Sequence, residues 1–179
     1  AVTRRVAERT VELAADPVEK TKRRLELAKL IEAQGDTAAA GKLVDEIYSE
    51  NPAVLGVIRT AVNLHWRSAS KTRALEILEA SAAKAATPAL KQGFTLEAAR
   101  KATETGDFAR ATRLTGALLA EDPIRSDFLA ARAGILAAQK NDTGLRDFYR
   151  AAIDSVNKSN KSASEKTTAI AGIRRDLIP

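Results

Sequence analysis

The stretch of sequence that decides the fold is residues 16–52, DPVEKTKRRLELAKLIEAQGDTAAAGKLVDEIYSENP. It opens with Asp16-Pro17, an N-capping residue followed by proline at the first position of a helix. Apolar residues then recur every three or four positions, which is the period of a helix that buries one side. Gly35 is typical of the left-handed residue that ends a helix, and Asp36 caps a second helix, which we predict to end before Asn51-Pro52. The stretch therefore predicts two helices joined by a tight turn.

The same punctuation recurs further along the chain. Thr105-Gly106-Asp107 repeats Gln34-Gly35-Asp36, Asp122-Pro123 repeats Asn51-Pro52, and Asn141-Asp142 occupies the equivalent later turn. A helix, a turn, a second helix and a proline-marked break thus return after about 34 residues. No alternating β-branched segment bounded by hairpin turns is visible. We predict an all-α chain of antiparallel helix hairpins with about nine to ten helices.

The composition limits the class of protein. Of the 179 residues, 45% are hydrophobic and 29% are charged, which is typical of a soluble globular protein, and only 4% are aromatic, which favours helices over sheets. The absence of cysteine excludes disulfides, thiolate metal sites and cysteine nucleophiles. No apolar run approaches the roughly 18 residues that a membrane span needs, and the first residues do not resemble a signal peptide. The compartment stays open between cytoplasm, periplasm and extracellular space.

The charge has a mild basic bias. The formal net charge is +6, and residues 51–120 carry ten basic against five acidic groups. This bias favours an acidic partner, but it is weaker than the basic stripe of a nucleic-acid-binding protein. The densest basic cluster, Lys20 to Arg24, is accompanied by Glu19 and Glu26, so we interpret it as a solvated helix face. We expect no nucleic-acid partner.

The small residues of the repeat resemble those of the tetratricopeptide (TPR) family. A 34-residue unit that begins at Thr21 places Leu27 and Ala28 at the seventh and eighth positions of that family's pattern. Ala40 falls at the twentieth position and Pro52 at the thirty-second. Four divergent units result, at residues 21–54, 55–88, 92–125 and 126–159, with a short insertion before the third. The large aromatics of the standard pattern are missing, so a related helical-repeat class remains an alternative.

The resemblance implies an architecture. The hairpins would form an α-solenoid, a right-handed superhelix in which small residues let the two helices of a unit cross closely. Residues 1–17 resemble the second helix of a preceding unit, with Val6 and Leu13 among its apolar marks. Residues 163–178 resemble the first helix of a following unit, which includes Leu177, after a polar linker from Asn157 to Ser164. We interpret residues 1–179 as one helical-repeat domain, a slice of a longer bacterial protein of this type.

Catalytic chemistry has little support in the sequence. His65 is the only histidine, so no histidine-based metal cluster or Ser–His–Asp arrangement can form. We interpret it as a packing residue. The carboxylate pairs Asp45-Glu46 and Glu121-Asp122 are adjacent in sequence, and adjacent helical residues do not face each other. No glycine-rich phosphate loop is present. We predict that the chain is not an enzyme and holds no metal or cofactor.

The resemblance also implies candidate binding residues, because first helices line the concave surface of such arrays. The basic, amide and tryptophan side chains at the inner positions are Lys22, Lys29, Arg59, Asn63, Trp66, Arg67 and Arg100. Arginine offers forked hydrogen bonds to carboxylates and tryptophan a flat apolar platform. Arg59 and Asn63 resemble part of a carboxylate clamp, but Glu97 and Asp127 depart from that pattern. We therefore predict a general peptide groove, the alternative being solvated charges and a half-buried tryptophan.

Two functions follow as hypotheses. The first is a non-catalytic scaffold whose concave face binds a protein or peptide from a partner or from the same polypeptide, with an acidic segment favoured by the charge. The second is a structural element whose end helices, residues 1–15 and 163–178, stack head to tail into oligomers or filaments.

Overall fold

The chain is helical throughout the part that the structure describes. The computed structural model describes residues 2–68, 70–160 and 162–176, and these form ten helices and no strand. The helices are α1 (Val2–Leu13), α2 (Pro17–Ala33), α3 (Thr37–Glu50), α4 (Leu55–Arg67), α5 (Lys71–Ala83), α6 (Pro88–Glu104), α7 (Phe108–Glu121), α8 (Ser126–Ala138), α9 (Asp142–Lys158) and α10 (Ala163–Asp176). The prediction of an all-α chain with about nine to ten helices is confirmed.

The chain forms two compact units, residues 1–91 and 92–179, and their boundary falls within α6. In the first unit each helix from α1 to α4 packs against the next one, and α2 also packs against α4. In the second unit α7 packs on α8, α8 on α9 and α9 on α10, and α10 also reaches α8. The interpretation of residues 1–179 as one repeat domain stays a prediction.

The hairpin turns have the predicted chemistry. Gly35 has a positive φ of 88°, and the Asp36 N–H donates back to the Ile31 carbonyl at 3.2 Å. The Asp36 side chain then accepts a hydrogen bond from the Ala39 N–H at 3.0 Å. One residue thus closes the preceding helix and caps the following one. Gly106 and the residue after it repeat this arrangement between α6 and α7.

The turn between α8 and α9 has the same geometry without glycine. Lys140 occupies the left-handed position with φ 55°. The Asn141 N–H donates to the Leu136 carbonyl at 2.9 Å, and the Asn141 side chain accepts from the Gly144 N–H at 2.9 Å. A side chain with a Cβ is strained in this conformation, whereas glycine is not.

This difference predicts opposite effects for two substitutions in the second unit. Lys140→Gly should raise the free energy of unfolding by about 0.5–1 kcal/mol, because it removes the left-handed strain. Gly106→Ala should lower it by about 1 kcal/mol, because it introduces that strain. Urea denaturation followed by circular dichroism measures both. A neutral or destabilising Lys140→Gly would contradict the proposed strain at this turn.

The observed helices repeat with a longer period than the 34-residue unit. Helices α2 and α6 begin at positions 17 and 88, which are 71 apart, and the same spacing separates the starts of α3 and α7, α4 and α8, and α5 and α9. Residues 89–91, predicted as an insertion, belong to the first turn of α6. The first helix of the third unit therefore begins at Pro88, four positions before the predicted Gln92. The spacing of the helix starts thus repeats after every four helices.

The end helices differ from prediction in detail. In α1, Val6 and Leu13 are 58% and 67% exposed, so these two apolar residues do not pack. The predicted linker from Asn157 to Ser164 is shorter, because α9 continues to Lys158 and α10 begins at Ala163. Ile173 of α10 is buried in a cluster with Leu129 of α8 and Tyr149 of α9. Leu177, predicted as part of this helix, lies outside the described residues.

Several alanines lie in the core of the two units. These alanines are all buried: Ala28, Ala40, Ala74, Ala99, Ala111, Ala133 and Ala152. Within the packed pair α2 and α3, Ala28 and Ala40 have no exposed surface. Small residues therefore lie inside the packed core of each unit.

Candidate functional site

Helices α2 and α4 lie side by side and run in the same direction. Near their N-terminal ends, Thr21 and Leu25 of α2 line a cleft together with Gly56 of α4. Near their C-terminal ends, Glu32 of α2 forms hydrogen bonds with Arg67 of α4. Contacts at both ends define one continuous face of the first unit, which we call the α2–α4 face.

Most of the predicted binding residues lie on these two helices. Lys22 and Lys29 are exposed on α2, where Leu25 between them is half-buried. On α4 the predicted residues follow helical spacing, and all are exposed except Trp66, which is half-buried: Arg59, Asn63, Trp66 and Arg67. The structure thus places six of the seven candidates on the two helices of the α2–α4 face. Arg100 belongs to the second unit.

Arg67 already has a carboxylate partner. Its Nε lies 3.0 Å from Glu32 Oε1, and its Nη2 lies 2.7 Å from Glu32 Oε2. The hydrogen bond to Glu32 raises the pKa of Arg67 above the usual arginine value. A raised folded-state pKa adds stability that is lost only as the pH rises through it, so Arg67 keeps its charge throughout the physiological range. Arg67 therefore links α4 to α2 and has less capacity to bind a carboxylate of a ligand.

The other cations of the face are available to a ligand. Within residues 2–68, 70–160 and 162–176, Lys22, Lys29 and Arg59 form no ion pair. Two neighbouring arginines of α2 behave differently: Arg23 lies 2.7 Å from Glu19, and Arg24 pairs with Glu50 of α3. The basic cluster at the start of α2 is thus divided between internal ion pairs and exposed lysines.

Trp66 offers part of its ring to solvent. It is half-buried near the end of α4, and the Lys71 ammonium lies 5.3 Å from the ring centroid. That distance is within the range of a cation–π contact. One region of the indole surface is therefore covered by the chain itself.

The cleft between α2 and α4 is an apolar feature that the sequence analysis did not identify. It has a volume of about 250 Å³ and is lined mainly by aliphatic side chains. Val18 and Val54 at its rim are 77% and 49% exposed. Single valines near helix starts look like ordinary core residues in a sequence, and only the packing of α2 beside α4 shows that they stay uncovered.

Arg100 lies in a different local environment. It lines a depression of about 210 Å³ between α6 and α8 together with Thr103, Ala130, Ala131 and Gly134. In the described part of the chain Arg100 forms no ion pair. The α8 residues that line this depression are small, so they offer the Arg100 guanidinium no carboxylate such as Glu32 offers Arg67.

His65 is a packing residue, as predicted. It is 4% exposed, and its Nε2 lies 3.2 Å from Asp45 Oδ1. The same carboxylate oxygen accepts a hydrogen bond from Arg73 Nε at 3.0 Å. A Cβ added to Gly41 would lie 3.4 Å from the imidazole Cε1, which shows how closely α3 approaches the ring.

The described residues contain neither a metal-binding cluster nor a membrane-crossing helix. No group of three or more His, Cys, Asp or Glu side chains in these ranges is arranged to hold a metal ion. Among the same residues, no helix combines the length and the apolar character needed to cross a bilayer.

No protein-family model matches the chain. No curated protein matches it at a significant level. The geometry of the face and the resemblance in the repeat pattern are therefore the basis for a functional proposal.

Proposed function

We propose that the chain is a non-catalytic scaffold of the tetratricopeptide kind, in which hairpins stack as a solenoid and the α2–α4 face binds an acidic protein segment. The packing of the first unit supports this. Helices α2 and α4 lie side by side, and α3 reaches α5 through the Tyr48 and Ser81 hydroxyls, 3.2 Å apart. Side-by-side packing of equivalent helices is the arrangement that a stack of hairpins requires.

The observation that carries the proposal is the set of cations without internal partners on this face. Lys22, Lys29 and Arg59 are exposed, whereas the chain supplies carboxylates to Arg23, Arg24 and Arg67. Uncompensated positive charge attracts acidic segments and raises their association rate. Each exposed pair contributes little by itself, so binding needs several contacts along an extended segment.

A selection experiment tests this proposal. The chain is immobilised and a displayed library of random peptides is selected against it, without assuming a natural partner. We expect the enriched peptides to be rich in Asp and Glu. The variant Lys29→Glu/Arg59→Glu should bind the strongest of them about tenfold more weakly, a loss of about 1.4 kcal/mol. Fluorescence anisotropy at two salt concentrations measures the affinities.

The control variant is Arg5→Glu/Lys84→Glu. It changes the net charge by the same amount at exposed positions on α1 and after α5. Equal losses of peptide affinity in both variants would mean that overall charge, and not this face, causes the effect. Selected peptides that are not rich in Asp and Glu would contradict the proposal. Glu32→Gln should instead strengthen peptide binding, because it removes the carboxylate that occupies the Arg67 guanidinium.

Self-assembly is the second candidate function. Its support is the exposed pair Val6 and Leu13, seven positions apart and therefore on one side of α1. Sedimentation velocity over a range of protein concentrations separates this candidate from the first.

A further inference from the structure

We infer that the apolar cleft at the N-terminal end of the α2–α4 face is an anchor site for one aliphatic side chain of the acidic segment. The inference rests on the proposed function and adds a specificity element to it. The occupant is a leucine- or isoleucine-sized side chain with acidic residues on the adjoining positions. Neither charge nor the repeat pattern requires such a preference.

The size and lining of the cleft fit this occupant. The volume is about 250 Å³, and an apolar protein cavity of roughly 150 Å³ is enough to hold benzene. Its lining includes Val18, Leu25, Val54 and Val57. Val57 is completely buried and closes the bottom, whereas Val18 and Val54 are exposed at the rim. A branched aliphatic side chain entering the cleft would cover these valines.

The second unit supplies an internal comparison. By the 71-residue spacing of the helix starts, Arg125 corresponds to Val54, Asp127 to Gly56 and Gln92 to Thr21. Arg125 donates to Asp127 at 2.8 and 3.1 Å and to Gln92 at 2.7 Å, and it covers the Phe128 ring at 4.3 Å. In the second unit this polar clamp of Arg125, Asp127 and Gln92 occupies the position that corresponds to the cleft. In the first unit the same place is open and apolar.

Charge complements the apolar cleft. Lys22 is itself a lining residue, and Lys29 lies about two turns further along α2. Both lysines are exposed and form no ion pair with the described residues. A segment whose aliphatic side chain enters the cleft would therefore bring its neighbouring carboxylates toward these ammonium groups.

The clamp of the second unit can be transplanted as a test. The variant Thr21→Gln/Val54→Arg/Gly56→Asp introduces the residues that the chain uses at the equivalent positions. The backbone is suited to it, since Val54 (φ −81°, ψ 110°) and Arg125 (φ −72°, ψ 122°) precede their helices in nearly the same conformation. A Cβ at Gly56 would meet no atom within 4 Å. The added Arg and Asp cancel in charge, so the attraction for acidic peptides is retained.

The expected result has two parts. Peptides selected on the natural chain should combine an aliphatic residue with the acidic ones, and peptides selected on the clamp variant should keep the acidic bias and lose the aliphatic one. The strongest selected peptide should bind the clamp variant about 10- to 30-fold more weakly, in line with the burial of one aliphatic side chain. Its counterpart with alanine at the aliphatic position should bind both proteins equally. An unchanged circular dichroism spectrum and thermal midpoint establish that the variant is folded.

Three results would overturn the inference. If the selected peptides are acidic but show no aliphatic preference, the anchor site is refuted and the proposed function still stands. If the selected peptides show no acidic bias, both the anchor site and the proposed function are refuted. If the natural chain self-associates in sedimentation velocity and the clamp variant does not, the cleft is occupied by a second copy of the chain and not by a peptide.

Discussion

Replacing Phe128 with alanine is expected to lower the free energy of unfolding by about 3–5 kcal/mol. Phe128 has no exposed surface and is among the largest completely buried side chains of the described residues. Its removal takes a large apolar area out of the core and leaves a cavity that the rigid helix pairs cannot fill. It also removes the ring that the Arg125 guanidinium covers at 4.3 Å. Urea denaturation followed by circular dichroism at the helical band measures the change.

The matched control for this substitution is Phe148→Ala. Phe148 is partly buried at the edge of the cluster around Tyr149, with ring centroids 5.8 Å apart. The same atoms are removed, but solvent can reach the site, so the loss should be less than half as large. Equal losses for both substitutions would contradict the central position of Phe128 in the second unit.

Replacing Ala40 with leucine is expected to lower the free energy of unfolding by about 3 kcal/mol. Ala40 of α3 and Ala28 of α2 have no exposed surface, and the two helices pack against each other. Three additional carbon atoms have no room at such a position unless the helices separate or side chains leave their preferred rotamers. The loss should appear in chemical denaturation as a lower urea midpoint with little change in slope.

Ala38→Leu serves as the control for this overpacking. Ala38 is exposed two residues earlier in the same helix, so the change in helix propensity is similar without the steric conflict. Its effect should stay within about 0.5 kcal/mol. A tolerated leucine at Ala40 would mean that the pair α2 and α3 can move apart without cost.

The sequence predicts the helix ends well where the signal is local. Asp16, Gly35 and Asp107 have side chains or conformations that act on their own turn, and each has the predicted role. The start of α6 was missed for a different reason. A fixed 34-residue frame made the residues after Pro88 an insertion, although the Thr87 hydroxyl accepts a hydrogen bond from the Leu90 N–H at 3.2 Å and starts the helix. Lys140 was not predictable, since lysine has no preference for the left-handed region.

The candidate site is predictable only in part. Helical spacing and the family resemblance indicate which residues share a helix side, and Lys29, Arg59 and Asn63 are exposed in agreement with that. Spacing does not show which of them find a partner. The pair of Glu32 and Arg67 joins residues 35 positions apart, and its formation depends on the distance between two helices. The cleft depends in the same way on how α2 and α4 approach each other.

The 71-residue spacing of the helix starts has a consequence for how such a chain can change in length. If the repeating piece is 71 residues long, a gene duplication that adds a single hairpin would interrupt the spacing of the helix starts. Duplication of all four helices would preserve that spacing. Equivalent places in the two pieces are then free to diverge, as the open cleft beside Val54 and the closed clamp of Arg125 have done. Recombination by four helices at a time would thus allow the surface of one piece to change without a new core.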